Sequence, residues 1–190
     1  MKKILLVMLL LSLLSVLSPA QEKTGGLLPQ MPLEERMRPA ELRDITAFSY
    51  AYLECRGPYT QISAKINEFM GLFFKQGLVP TGGFFAMYLN APDQVHEEDL
   101  LWRLGFPVSA DAAVIEPLRK DEFNYSKAVV YLYVGPYENI RYAYGKVAAF
   151  CDMNGYKAAG PSIEKYLDMN PQAVKPEDLR TEVLLPVEKK

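Results

Sequence analysis

One histidine and two cysteines are all that the 190 residues offer of the side chains most used for metal binding and redox chemistry. His96 stands in a charged, loop-like stretch from Asp93 to Asp99 and reads as a surface residue. There is no metal-ligand spacing and no Ser-His or Cys-His partnership, so neither a metal, a cofactor nor a covalent nucleophile is expected. Cys55 and Cys151 cannot make a disulfide framework. An oxidising compartment permits one bridge, and their spacing leaves that pairing open. A basic excess is also missing: the formal net charge is −2, the wrong sign for a nucleic-acid surface. The apolar run from Ile4 to Leu17 falls short of the ~20 residues that a membrane-spanning helix wants.

What is present begins with that run. Met1-Lys2-Lys3 precedes it and Ser18-Pro19-Ala20 follows, the pattern of an export leader (residues 1–20) cleaved after Ala20. A bacterial protein bound for the periplasm or secretion, with no stable membrane insertion after cleavage, is the expectation. Position 21 is Gln rather than Cys, which disfavours a lipid anchor. Lys2 and Lys3 leave with the leader, so 21 basic residues become 19 against 23 acidic ones and the net charge moves from −2 to −4. Residues 21–44 are rich in proline, glycine and charge without a sustained period, and read as a tether. The remainder, 45–187, suffices for one domain.

That domain repeats itself. Tyr52-Leu53-Glu54-Cys55-Arg56-Gly57-Pro58-Tyr59 returns as Tyr131-Leu132-Tyr133-Val134-Gly135-Pro136-Tyr137. At the same offset Ile62, Ile66, Phe69 and Phe73 fall on Ile140, Tyr144, Val147 and Cys151, the stripe of an amphipathic helix in both copies. Gly77 and Gly155 follow as helix caps. Tyr88 and Leu89 meet Tyr166 and Leu167. After one inserted residue, Glu98-Asp99-Leu100 and Pro107-Val108 meet Glu177-Asp178-Leu179 and Pro186-Val187.

The spacing predicts an α+β fold of tandem duplicated strand-helix-strand-strand modules, 45–108 and 109–187, with antiparallel sheets and one main helix each. Strands are expected near Ile45–Cys55, Leu78–Leu89 and Leu100–Val108, then Lys127–Val134, Tyr156–Leu167 and Leu179–Val187. An additional strand is expected at Ala113–Leu118, with a charged turn from Arg119 to Tyr125. Each helix should pack on its own sheet, leaving the opposite sheet faces to form a ligand cleft between the modules.

The Gly-Pro-Tyr turns, Gly160-Pro161 with Glu164 and Tyr166, Pro176-Glu177-Asp178-Leu179 and the closing Leu185-Pro186-Val187 together resemble GyrI-like small-molecule-binding domains. These are the effector-binding domains of AraC-type and MerR-type multidrug-responsive regulators. The resemblance covers about Ile45 to Val187. It implies two such modules around a cleft that binds amphiphilic, often cationic, small molecules through aromatics and an acidic residue. Some relatives are reported to hydrolyse cyclopropane-containing toxins. By position the acid is Glu164, with Tyr166 beside it. A DNA-binding domain belongs to those regulators; an export leader and tether stand here instead.

Within the strands, Glu164 falls opposite Ala86 across the repeat, while Tyr88 and Tyr166 are kept. A buried carboxylate needs partners, and desolvation raises its pKa. It suits either the seat of a cation among aromatic faces or a general base on water. Tyr131 and Tyr133 share one strand face; Val130, Leu132 and Val134 share the other, which is assigned to the helix. The expected ligand-binding set is therefore Glu164, Tyr166, Tyr131, Tyr133, Tyr52, Tyr88 and Trp102. The leading reading is a binding protein for an amphiphilic or cationic ligand. Its rival is a hydrolase of reactive electrophiles with Glu164 as the catalytic base. A haem binder of the related SOUL-like architecture is disfavoured by having only His96, and a purely structural envelope protein would show no saturable ligand.

Overall fold

A computed structural model describes residues 39–168 and 170–190. The leader and residues 21–38 of the tether lie outside the described residues. Eleven elements follow in order: β1 (Glu41–Asp44), β2 (Phe48–Arg56), α1 (Ile62–Lys75), β3 (Phe85–Tyr88), β4 (Leu101–Pro107), β5 (Arg119–Phe123), β6 (Lys127–Val134), α2 (Arg141–Asn154), β7 (Tyr156–Ala158), β8 (Ser162–Tyr166) and β9 (Arg180–Lys189). All strand pairs are antiparallel, in the order β1-β6-β9-β8-β3-β4-β2-β5, with β7 pairing the end of β9. The fold is α+β: one curled antiparallel sheet carrying two helices.

The register shows which residues share a face. Directly opposed residues in neighbouring strands point to the same side. Leu53, Leu104, Ala86, Glu164, Val183 and Tyr131 form one such row across β2, β4, β3, β8, β9 and β6. At one end Leu53, Leu104 and Ala86 join Phe69 and Phe73 of α1 in a core. At the other, Val183 and Tyr131 join Ala143, Val147 and Cys151 of α2. Both helices therefore lie on the same face, and Glu164 occupies the middle of the row between them.

This places the cleft differently from expectation. The two halves share one sheet, and the cleft opens between the helices on the helix-bearing face. The opposite face is filled by Tyr50, Tyr52, Phe85, Met87, Val130 and Ile163. The alternation on β6 is correspondingly reversed: Val129, Tyr131 and Tyr133 face α2, while Val130 packs on the far side.

Local corrections have local causes. The expected strand at Ala113–Leu118 does not form; the Gln76 side chain instead holds Ile115, donating to its carbonyl at 2.8 Å and accepting from its N–H at 3.0 Å. Arg119–Phe123, expected as a charged turn, is an edge strand on β2 in which only Phe123 is buried. Charge on an edge strand discourages pairing with other chains. The end of the expected tether, Glu41–Asp44, likewise forms a short charged edge strand on β6. The single strand expected over Tyr156–Leu167 is broken at Gly160-Pro161 into β7 and β8.

The helix stripes behave as the periodicity predicts. Gly77 and Gly155 follow the helices with φ of 69° and 65°, the left-handed region that glycine reaches without a Cβ penalty. Cys55 and Cys151 are free and buried, one in each helix core.

Gly105 of β4 marks the tightest approach between strands. A Cβ there would lie 2.8 Å from the Phe85 ring and 3.0 Å from the Ala51 carbonyl oxygen. Gly105→Ala is expected to destabilise the fold by about 1–3 kcal/mol through overpacking, read as a lower urea midpoint with an unchanged slope.

Candidate functional site

Burial of the two helix stripes leaves the centre of the sheet uncovered, and a cavity of about 1320 Å³ occupies that gap. Its α1 wall carries Ile62, Ile66, Met70 and Phe74; the facing wall carries Arg141 and Tyr144 of α2 and Ile140 just before it. The sheet supplies Tyr88, Phe106, Ser162, Glu164 and Tyr166, and Phe84 joins them from just before β3. The volume exceeds the ~300–1,000 Å³ of ordinary ligand pockets, giving room for several rings or a long chain.

Glu164 lies on the floor, 7% exposed. Its Oε1 accepts a hydrogen bond from Tyr144 at 2.9 Å, and its Oε2 accepts from Tyr166 at 2.8 Å and Tyr88 at 3.1 Å. No lysine or arginine pairs with it among the described residues. Burial pushes the carboxyl pKa up, while the three phenol donors pull it back down. Burial, reinforced by the adjacent Glu164 charge, raises Tyr88, Tyr144 and Tyr166 above the ordinary phenol range. The phenols thus remain protonated donors, as a carboxylate acceptor requires. The result is a buried carboxylate with its hydrogen bonds met and its charge uncompensated.

Rings frame it from both sides. Tyr59 meets Tyr88 edge to face at 5.0 Å, and Tyr137 meets Tyr166 edge to face at 5.5 Å. Tyr166 also stacks on Phe84 at 5.7 Å. Tyr59 and Tyr137 come from the two Gly-Pro-Tyr turns, each running into a short 3-10 turn before its helix.

Of the residues expected to bind ligand, Glu164, Tyr166 and Tyr88 are brought together on the cavity. Tyr131, Tyr133, Tyr52 and Trp102 are placed elsewhere. Trp102 is fully buried, and its indole N–H donates to the Gly57 carbonyl at 3.1 Å. Tyr133 donates to the Pro136 carbonyl at 2.9 Å. These two rings brace the turns that present Tyr59 and Tyr137. Tyr131 is buried in the α2 core, and Tyr52 lies on the opposite sheet face beneath the Arg103 guanidinium, 4.2 Å from its ring centroid.

Three tyrosines that line the cavity stand outside the expected set: Tyr144, Tyr59 and Tyr137. Tyr144 counted only as a stripe residue, yet a hydroxyl-bearing ring opposite Ile66 in an apolar stripe is a usable signal. Tyr59 and Tyr137 stand in the Gly-Pro-Tyr turns, and their return at matched positions of the repeat is their signal.

Residues 38–188 match a family model described as a GyrI-like small molecule binding domain. No curated protein matches the chain. Among solved structures, the EcmrR C-terminal domain is similar at 21% identity and a TM-score of 0.67, with 80% of this chain and 98% of that one covered. SAV2435 bound to tetraphenylphosphonium is similar at 15% identity and a TM-score of 0.56, covering 80% and 94%. A hydrolase from Listeria innocua encoded by lin2189 is similar at 13% identity and a TM-score of 0.61, covering 80% and 92%. Likeness at these identities concerns the fold.

The raised carboxyl pKa fixes a sign for stability. A carboxyl whose folded pKa lies above its unfolded value contributes stability that is complete below the unfolded pKa and is lost as pH rises through the folded one. The wild-type urea midpoint minus that of Glu164→Gln is therefore expected to fall as pH rises from about 4.5, the ordinary carboxyl value. A difference that rises with pH instead would mean that the phenols outweigh burial.

Proposed function

We propose what this cleft holds, starting from the fact that the chain belongs to the GyrI-like small molecule binding domain family. The domain binds a small molecule; the ligand is an amphiphilic or cationic compound whose positive group seats on Glu164 among the rings of Tyr88, Tyr144 and Tyr166. One observation carries this reading: the Glu164 carboxylate is buried on the floor of an aromatic-lined cavity, with three neutral donors and no cationic partner among the described residues. A buried charge left uncompensated is costly. A ligand cation would supply the missing charge and gain the electron-rich ring faces as well.

SAV2435 with its bound tetraphenylphosphonium lends support by analogy of fold, at 15% identity. Internal duplication accounts for the matched Gly-Pro-Tyr turns and capped 14-residue helices in the two halves. The leader-like first 20 residues point to a protein acting outside the cytoplasm, periplasmic or secreted, without a nucleic-acid partner. That part of the proposal is tested by the N-terminus and the cell fraction of the natural product.

A hydrolytic reading uses the same groups. Burial makes Glu164 a stronger base, and Tyr166 holds a proton 2.8 Å away. Water activated by the carboxylate could open a strained electrophile while a phenol returns the proton.

Thermal unfolding with a panel of lipophilic cations and neutral aromatics separates these readings. A cation at 100 times its dissociation constant is expected to stabilise by ~2.7 kcal/mol, raising the midpoint by about 5–10 °C. Glu164→Gln should abolish that shift while neutral aromatics keep theirs; an unchanged shift in the mutant sinks the charge-seat role. Consumption of a cyclopropane-containing substrate by wild type and not by Glu164→Gln would mark turnover.

Cation affinity should also fall as pH drops through the Glu164 titration, by up to about tenfold per pH unit below it. Titration calorimetry across pH 4 to 8 reads this. A flat profile would show that the charged form is not the one that binds.

A further inference from the structure

The cleft carries a second charge that the carboxylate alone does not explain. Among the described residues, three charged side chains lie on its walls: Glu164, Asp168 and Arg141. Asp168 is already satisfied. Its Oδ1 accepts from Arg180 Nη2 at 2.7 Å and Nε at 3.1 Å, and its Oδ2 from the Arg180 backbone N–H at 2.7 Å. Arg141 differs. The residue is exposed, its guanidinium lies 5.5 Å from the Tyr142 ring centroid, and no carboxylate pairs with it among the described residues. It is also the first residue of α2, whose first turn holds no acid, a position where the helix dipole disfavours a cation. Beyond that ring, local structure gives the charge no partner among the described residues.

Arg141 stands one helical turn before Tyr144, the residue that donates to Glu164. The cleft thus offers one uncommitted anion on its floor and one uncommitted cation on the same wall as the floor's phenol donor. Ile66, Met70, Phe74 and Phe106 supply an apolar lining beyond them. A simple lipophilic cation satisfies Glu164 but meets like charge at Arg141. A ligand carrying both signs satisfies both.

We infer that the preferred ligand is a zwitterionic amphiphile, its ammonium-type group on Glu164, its anionic group on Arg141, and its apolar chain along α1. This rests on the reading of Glu164 as a cation seat and goes beyond it in naming the second charge.

Titration calorimetry with a matched pair tests the inference: dodecyltrimethylammonium and dodecyldimethylammonio-propanesulfonate, both below their micellar concentrations, on the intact protein. Wild type is expected to prefer the sulfobetaine by about three- to fivefold, the scale of one partly exposed ion pair. Arg141→Gln should lower sulfobetaine affinity, raise that for the plain cation and so erase the preference, with Arg141→Lys restoring part of it. A wild type that binds the plain cation equally or better overturns the inference, as does a ratio unchanged in Arg141→Gln. Glu164→Gln keeps the two claims apart. If it leaves both affinities untouched, the cation seat itself fails, whatever Arg141 does.

Discussion

The cavity of this fold is organised around one carboxylate placed where two helices fail to meet. Across the row Leu53, Leu104, Ala86, Glu164, Val183 and Tyr131, each end is roofed by a helix and the middle is not. An aliphatic residue at position 164 would leave an apolar trough; a carboxylate there must be desolvated and then satisfied. Tyr88, Tyr144 and Tyr166 satisfy its hydrogen bonds from β3, α2 and β8. They therefore tie the two halves together at the same point where the cavity opens. The ties are neutral donors, so they restrain the anion without cancelling it.

The supporting structure is aimed at the same spot. Each Gly-Pro-Tyr turn delivers a ring that meets, edge to face, a tyrosine bonded to Glu164. Each turn is in turn held from beneath by a buried ring with a polar tip, Trp102 below Gly57 and Tyr133 beside Pro136. The two braces differ chemically, an indole in one half and a phenol in the other. What the halves share is the task of presenting a ring.

Glu164, Tyr88 and Tyr166 are legible in the sequence because strand alternation, unlike helix placement, depends only on neighbouring residues. The apolar stripes of α1 and α2, their glycine caps and the span of β6 were legible for the same reason. The side of the sheet was not. On β6, Val129-Tyr131-Tyr133 and Val130-Leu132-Val134 are both apolar enough to face a helix. Only the register with β9 and β8, a long-range property, selects between them. With the aliphatic face of β6 given to the helix, Tyr131 and Tyr133 fall in the cleft and the helix residue Tyr144 does not. The Arg119–Phe123 strand was hidden by the charges suited to a sheet edge, because a solvated edge and a charged turn look alike in composition.

The two thiols illustrate how fully the halves divide the interior. Cys55, on β2, lies under α1, whereas Cys151 is carried on the buried face of α2 itself, so each sits in its own helix core. Burial raises both above the ordinary thiol pKa, Cys55 to about 12, so neither offers much thiolate to an oxidant. Both thiols are free, and what joins the two halves is non-covalent: a shared sheet and the phenols gathered on Glu164.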